Sequence, residues 1–293
     1  MTDRKIPARV FARAREDAAT AKAMPLTPQT MDPAYRLAFQ DMDFLLREDL
    51  RPVRFQLELL KPDLVLEEAK IASTFVFYGS ARIPEPEAAA AQIAAAPEGH
   101  ARRIAENLAA KARYYDEARK LARLVSQVAP DANGQRQFVV CSGGGPSIME
   151  AANRGAADVG AESIGLNIVL PHEQAPNVYV TPRLSLQFHY FALRKMHFLL
   201  HARALAAFPG GFGTFDELFE LLTLIQTGKI EPIPVLLFGR DFWTRVVNWE
   251  ALCEEGVISP KDLDIFQFVE TAEEAWTLVQ DFYRPTPNPI VLE

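Results

Sequence analysis

The sequence predicts a doubly wound α/β domain, residues 71–293, carrying a helical N-terminal extension, residues 1–70. Two observations lead there. From residue 71 onward, short runs rich in Val, Ile, Phe or Leu alternate with helical segments, and most of the runs end at glycine or proline. Alternation of this kind implies βαβ crossovers and a parallel sheet covered by helices on both faces. The first 70 residues, in contrast, contain no glycine and place apolar residues at mixed helical spacing.

The elements follow in order. Pro25, Pro28 and Pro33 break the beginning of the extension, and Ala34–Leu66 reads as two or three helices. The first strand is expected over Ile71–Tyr78. A Pro84–Pro86 loop and an alanine-rich stretch, Ala88–Ala96, lead to a helix over about Gly99–Val128. Further strands are expected over Phe138–Cys141, Ser163–Leu170, Ala204–Phe208 and Pro234–Phe238. The helices between and after them are Ile148–Val159, Leu186–His201, Thr214–Gln226 and Asp241–Glu254. A last helix, Ala272–Phe282, stops before Pro285.

Composition narrows the function classes. The 293 residues are 49% hydrophobic and 24% charged, which excludes disordered and fibrous chains. A formal net charge of −7 argues against a whole-surface attraction to nucleic acid or to an anionic membrane, while leaving room for a local anion site. The longest uncharged apolar stretch, Ala204–Phe215, contains Pro209-Gly210-Gly211 and is far short of the roughly 20 residues of a spanning helix. Cys141 and Cys253 are the only cysteines, too few for a disulfide scaffold or a cysteine-based zinc site. The N-terminal arm, with Arg4, Lys5, Arg9, Arg13, Arg15 and Lys22, is basic but lacks the apolar core of a secretory signal, and reads as a solvated arm. The expected location is the cytoplasm.

Ligands in doubly wound sheets sit beyond the carboxyl ends of the strands, so the turns there carry the functional signal. The first, Tyr78-Gly79-Ser80-Ala81-Arg82, offers a close backbone approach at Gly79 and donors at Ser80 and Arg82. The second, Ser142-Gly143-Gly144-Gly145-Pro146-Ser147, concentrates three of the 15 glycines between a strand and a helix start, a natural anion cradle. It is neither G-x-G-x-x-G nor G-x-x-x-x-G-K-[ST]. The third is the strongest. Pro209-Gly210-Gly211-Phe212-Gly213-Thr214 lets backbone N–H groups converge on a helix N-terminus, with the Thr214 hydroxyl beside them. Glu217 follows one turn into that helix. A carboxylate repels an anion, so it either acts on an uncharged part of the ligand or complements the helix dipole; both readings fit the spacing.

Arg194 and Lys195 lie in an otherwise apolar segment and point about 100° apart, so one is free to pair with the protein while the other faces a ligand. His197 and His201 are spaced i, i+4, but no glutamate stands where H-E-x-x-H has one, and they read as core or edge histidines. Cys141 reads as structural at the end of a buried strand, and Cys253 beside Glu254 and Glu255 likewise. Trp243 and Trp249 read as anchors of the Asp241–Glu254 helix.

The residues of the third turn, Pro209-Gly210-Gly211-Phe212-Gly213-Thr214-Phe215-Asp216-Glu217, match the P-G-G-x-G-T-x-x-E signature, and the chain resembles the LOG family of cytokinin riboside 5′-monophosphate phosphoribohydrolases, historically labelled lysine decarboxylases. The Arg194-Lys195 pair stands where that family has its R-K motif. Gly143-Gly144-Gly145-Pro146 and Met149 resemble its second glycine signature. The likeness covers about residues 71–250. It implies a Rossmann-like fold, a homodimer or larger homo-oligomer, and hydrolysis of the N-glycosidic bond of nucleoside 5′-monophosphates without metal or organic cofactor. By motif position Arg194 and Glu217 are the implied catalytic pair. Pro209, Gly210, Gly211, Gly213 and Thr214 are the implied phosphate cradle, and Gly79, Ser80, Gly143, Gly144, Gly145, Met149, Glu173, Lys195 and Thr223 the further substrate contacts. The chain departs from the pattern at Phe191-Ala192-Leu193, where plant members have Met-His-Glu, at Ser147, where glycine is common, and in its extra N-terminal helices. AMP is therefore an expected substrate alongside cytokinin ribotides.

Four other readings compete. Pyridoxal-phosphate decarboxylation needs a Schiff-base lysine with a phosphate cup, a context that Lys195 and Lys229 lack. A metal site would rest on His197 and His201 alone. A carrier that binds a nucleotide or the molybdenum cofactor without turnover would keep the glycine cradle but need not keep Arg194 and Glu217 as a pair. A purely structural role would fall to the N-terminal helices.

Overall fold

Seven strands form one all-parallel sheet in the computed structural model, which describes residues 11–171 and 175–284. The strands are β1 (Thr74–Tyr78), β2 (Val139–Ser142), β3 (Ile164–Ile168), β4 (Ser185–Phe188), β5 (Ala202–Ala207), β6 (Val235–Phe238) and β7 (Gln267–Val269). Their order across the sheet is β4-β3-β2-β1-β5-β6-β7. The predicted doubly wound α/β class is what the topology shows. From β1 the chain moves outward through β2, β3 and β4, then crosses back to β5 on the other side of β1 and moves outward again. The crossovers leaving β1 and β5 diverge, so a crevice opens between the carboxyl ends of these two strands.

The helices are α1 (Ala14–Lys22), α2 (Pro28–Met31), α3 (Met42–Leu45), α4 (Arg51–Glu68), α5 (Pro86–Ala95), α6 (His100–Ala109), α7 (Arg113–Val125), α8 (Ile148–Asp158), α9 (Phe191–Leu200), α10 (Phe212–Gln226), α11 (Arg240–Val246), α12 (Trp249–Glu254) and α13 (Ala272–Phe282). The chain divides into two compact units after Leu57. The first holds α1 to α3, joined by short 3₁₀ turns, and none of these three helices buries a residue. The second begins at Glu58 and holds the rest of α4 together with the sheet. Of the basic arm, Arg4, Lys5 and Arg9 lie outside the described residues.

Alternation along the strands sorts side chains to two faces. Phe75, Phe77, Val140, Ala204, Ala206 and Phe238 join α7, α8 and α13 in one buried cluster. Phe208 stacks on Phe238 with ring centroids 4.2 Å apart, continuing that cluster past the end of β5. Val76, Tyr78, Cys141 and Leu205 point to the opposite face, where Tyr78 meets Phe198 of α9 edge-on at 5.2 Å. This second face is the one that carries the candidate site.

Several element expectations are corrected. The expected helix Leu186–His201 is a strand followed by a helix: Leu186 and Phe188 are buried, Gln187 is exposed, and the segment pairs with β3 before α9 begins at Phe191. A run of only four residues with alternating burial is lost inside a longer apolar stretch when no partner strand is known. The helix expected over Gly99–Val128 breaks into α6 and α7. Asp241–Glu254 breaks into α11 and α12, where the Asn248 side chain accepts from Ala251 N–H and caps α12. Trp243 and Trp249 are both buried, the first donating its indole N–H to Phe238 O at 3.0 Å. The alanine-rich stretch is helix α5, and β7 was not anticipated.

Close packing of α7 on α8 depends on Gly155. A Cβ there would stand 2.7 Å from Ala122 Cβ and 3.0 Å from the Arg119 carbonyl carbon, neither of which swings aside. Alanine gains about 1 kcal/mol of helix propensity over glycine, but overpacking against backbone costs about 1–3 kcal/mol or more. Gly155→Ala is expected to lower the unfolding free energy in urea by at least about 1 kcal/mol; a gain in stability would show that the α7–α8 contact has slack.

Candidate active site

The three turns singled out in the sequence meet at the carboxyl edge of β1, β2 and β5, and Ser80 joins them. Its backbone N–H donates to Pro209 O at 3.1 Å, its carbonyl accepts from Ile148 N–H at 3.3 Å, and its hydroxyl accepts from Arg82 N–H at 2.9 Å. Gly79 and Ser80 thus line the seam between the other two turns. Arg82 itself is exposed.

The β2 turn is braced from beneath by buried polar groups. Ser142 Oγ donates to Asn153 Oδ1 at 2.8 Å and accepts from Gly144 N–H at 3.0 Å. The Asn177 amide donates to Gly144 O, Gly145 O and Asn153 Oδ1, each within 3.1 Å. Met149 lies under the same loop, its sulfur 2.8 Å from where a Gly143 Cβ would stand. A Cβ on Gly143 would also come within 2.8 Å of Arg194 Nη2, so glycine here makes room for the guanidinium. Ser147 adopts φ 64°, a conformation that favours glycine, and its hydroxyl donates to Ile83 O at 2.6 Å. Asn153 and Asn177 escaped the sequence reading. Asn153 offered one signal, an amide flanked by Ala151, Ala152, Gly155 and Ala156 on a helix packed against the sheet.

The β5 turn enters α10 with Gly211 as N-cap and no side chain capping it, so the first backbone N–H groups of α10, at Phe212, Gly213 and Thr214, face outward from the helix start. Thr214 is buried, and Gly210 lies so close that any Cβ there would strike the Thr214 side chain. Pro209 is tied to Ser80. This is a concentration of donors and of positive helix-dipole potential suited to a phosphate.

Beside this cradle α9 and α10 exchange two sets of charges. Arg194 Nη1 stands 3.3 Å from Glu217 Oε1, with both side chains nearly buried. Arg194 Nε donates to Leu166 O at 2.8 Å, and its guanidinium lies 5.0 Å from the centre of the Phe198 ring. Burial raises the Glu217 carboxyl to about 7 against the opposing pull of Arg194; Asp216 and Glu220 push it up further and Lys195 draws it down. Lys195, on the outer side of α9, bridges Asp216 and Glu220 at 3.0 Å each. Burial pulls the Lys195 ammonium down, but its bonds to the two acids prevail and its pKa is raised. The two adjacent cations therefore divide as their 100° offset allows, Arg194 into the crevice and Lys195 into a brace. Tyr78, expected at the junction of the first strand and its turn, ends β1 on this face; burial and then the nearby Glu217 push its phenol well above the ordinary range.

Not every predicted residue gathers here. Thr223 is exposed, and its hydroxyl donates to Phe219 O at 2.7 Å. Glu173 lies outside the described residues. Burial pushes the Cys141 thiol up, so it stays protonated in the sheet. A separate cavity of about 380 Å³, lined by residues such as Ile225, Ile233, Val235 and Leu278, lies at the amino end of β6, the opposite edge from the glycine turns. Among the described residues no group of three or more His, Cys, Asp or Glu is arranged to hold a metal, and no helix is long and apolar enough to cross a membrane.

Fold and site together define a doubly wound α/β protein with an uncapped glycine-rich helix start and a buried Arg–Glu pair at its topological switch point. A family model described as possible lysine decarboxylase matches residues 149–279. The chain is 29% identical over 148 residues to cytokinin riboside 5′-monophosphate phosphoribohydrolase LOG3 of Arabidopsis thaliana, spanning 49% of this chain and 67% of that protein. LOG4 of the same plant is 28% identical over an equal length. Among solved structures, the Moco carrier protein from Chlamydomonas reinhardtii aligns with a TM-score of 0.39 at 14% identity, covering 71% of this chain and 96% of that one. The sequence matches bear out the resemblance to the LOG family read from the motifs.

The raised Glu217 has a consequence for stability. Its folded value of about 7 lies above the ordinary 4.5, so the native state holds an extra proton between those values. The associated stability is complete below about pH 4.5 and is lost as pH rises through about 7. Glu217→Gln cannot titrate. Its stability relative to the parent should therefore improve between pH 5 and pH 8, by at most about 3 kcal/mol. A constant difference across that range in paired denaturation curves would mean that Glu217 ionises as freely as a surface carboxylate.

Proposed function

We propose that the protein hydrolyses the N-glycosidic bond of nucleoside 5′-monophosphates, releasing free base and ribose 5-phosphate, with AMP and cytokinin riboside 5′-monophosphates as the substrate class. The observation that carries this reading is the buried Arg194–Glu217 pair set beside the Gly210–Thr214 cradle. A phosphate on the α10 N-terminus anchors the 5′ end of the ribose, so binding energy far from the reacting bond orients the sugar. Cleavage builds positive charge on the ribose ring, as in glycoside hydrolysis generally. The Glu217 carboxylate, placed in a largely water-free position, stabilises that charge and takes a proton from the attacking water. Arg194 holds Glu217 in place, and its Nη2, beside Gly143, is directed toward the β2 turn. Gly79, Ser80, Gly143, Gly144, Gly145 and Met149 form the remaining walls in this reading, with Lys195 bracing α9 against α10. Glu173 and Thr223 remain substrate contacts by motif alone.

Two competing readings fare less well. A Schiff-base lysine needs a depressed pKa, whereas Lys195 is raised by two acidic partners. A carrier has no use for a carboxylate poised near neutrality in the crevice, although it would share the cradle. A homodimer or larger homo-oligomer and a cytoplasmic location remain part of the proposal, on the family resemblance.

Purified protein should release free base from AMP and from isopentenyl-AMP but not from the corresponding nucleosides. Glu217→Gln and Arg194→Ala should each reduce kcat/KM by about a hundredfold or more. Because Glu217 acts as the carboxylate, kcat should rise with pH through an apparent value of about 7. Nucleotide binding without base release in the parent protein would leave the carrier reading in its place.

A further inference from the structure

Both ends of α9, the helix that bears Arg194 and Lys195, are held by one other helix. At its start, His189 N–H donates to Glu58 Oε1 at 2.8 Å and Tyr190 N–H to Glu58 Oε2 at 3.2 Å. Tyr190 is the N-cap residue and does not cap α9 with its own side chain. At the far end, Asp63, five residues further along α4, faces His197 Nδ1 at 3.6 Å and His201 Nε2 at 3.4 Å. A carboxylate at a helix start suits the helix dipole, whereas burial lowers the His197 pKa and favours the neutral imidazole beside Asp63. Between these anchors, Arg194 N–H donates to Tyr190 O at 3.1 Å, so the hydrogen bond from the capped residue runs straight to the arginine. The Arg194 guanidinium is then fixed by Leu166 O and reaches Glu217.

We propose that Glu58 is a positioning residue for the active site: its carboxylate sets the register of α9 and thereby the contact between Arg194 and Glu217. The segment that precedes the sheet thus acts on the site, although none of its motifs announces it. In its kinetic consequences this inference rests on the proposed hydrolase reading; in its structural consequences it does not. Loss of one carboxylate removes an acceptor shared by two N–H groups at the start of α9, and a shift of about an ångström in a charged group is enough to cost up to a hundredfold in rate.

The test compares full-length Glu58→Ala and Glu58→Gln with the parent, well below their melting temperatures. The amide keeps one acceptor oxygen for the two N–H groups. Glu58→Ala should lower kcat for AMP by about tenfold while KM stays within about twofold, with Glu58→Gln between the two. The acidic limb of the pH profile should also move upward, because a displaced Arg194 opposes Glu217 protonation less. The other groups around Glu217 are Lys195 on α9, Asp216 and Glu220 on α10, and Tyr78 and Cys141 on the strands, and the substitution leaves them in place. A lower melting temperature with unchanged kcat and unchanged pH midpoint would reduce Glu58 to an ordinary helix cap and overturn the proposal. If the parent releases no base from any nucleotide, the hydrolase reading fails by itself. The Glu217 titration, followed by NMR of side-chain-labelled glutamate, then decides: an upward shift in Glu58→Ala supports positioning, and an unmoved midpoint overturns it. Should Glu58→Ala not fold, Glu58→Gln carries the same readings at smaller amplitude.

Discussion

Arg194 sits in the crevice with only 9% of its surface exposed, and burying a guanidinium is costly unless its charge and donors are all met. The surrounding architecture meets its charge and its Nε donor and makes room for the rest. The middle of β3 supplies the Leu166 carbonyl, α10 supplies Glu217, Phe198 supplies an aromatic face, and the missing side chain of Gly143 supplies room. These partners come from four separate stretches of chain. They converge because the order of strands reverses between β1 and β5, which brings the helices following β4 and β5 over one face of the sheet. The same burial that makes the pair expensive brings Glu217 near neutrality, where a carboxyl group can both hold and release a proton under ordinary conditions.

Around the pair, backbone groups are committed in two distinct ways. Carbonyls of the β2 turn are consumed by Asn177, and Gly144 N–H by Ser142, so that loop is rigid and braced from beneath. The first N–H groups of α10, by contrast, have no side-chain cap. One turn is closed by its own hydrogen bonds, and the other leaves donors open at the helix start. Ser147 adds local strain at the α8 start, since a non-glycine residue at φ 64° is held there by its bond to Ile83 O. Strain of this kind persists only where the surrounding structure over-determines it, and here it lies beside the proposed site.

Much of the fold was legible because its signals are local. The strand runs ending in Gly or Pro, the helix over Ala272–Phe282 and the entry of α10 from Gly210–Gly213 follow from periodicity and from glycine chemistry, which depend on near neighbours only. The failures have a common physical cause. β4 is four residues long, and only its pairing with β3 makes it a strand. The breaks in Gly99–Val128 and Asp241–Glu254 fall at Ala110–Ala112 and at Val247–Asn248, where the residue types carry no strong stop signal. For the site, the turns around Gly79, Gly143 and Gly210 and the positions of Arg194 and Glu217 were readable, while the braces Asn153 and Asn177 and the cap Glu58 were not. Each of these three acts through partners at least ten residues away.

By itself, the sequence determined the class of fold, the order of its main elements and which residues are candidates for anion binding and acid–base chemistry, because residue type, spacing and glycine content are properties of the chain. The tertiary structure decided which of two neighbouring cations enters the crevice, how near Glu217 comes to neutrality, and that Glu58 holds the start of α9. Those are outcomes of burial and of distances between groups remote in sequence, and such distances exist only once the sheet has brought the groups together.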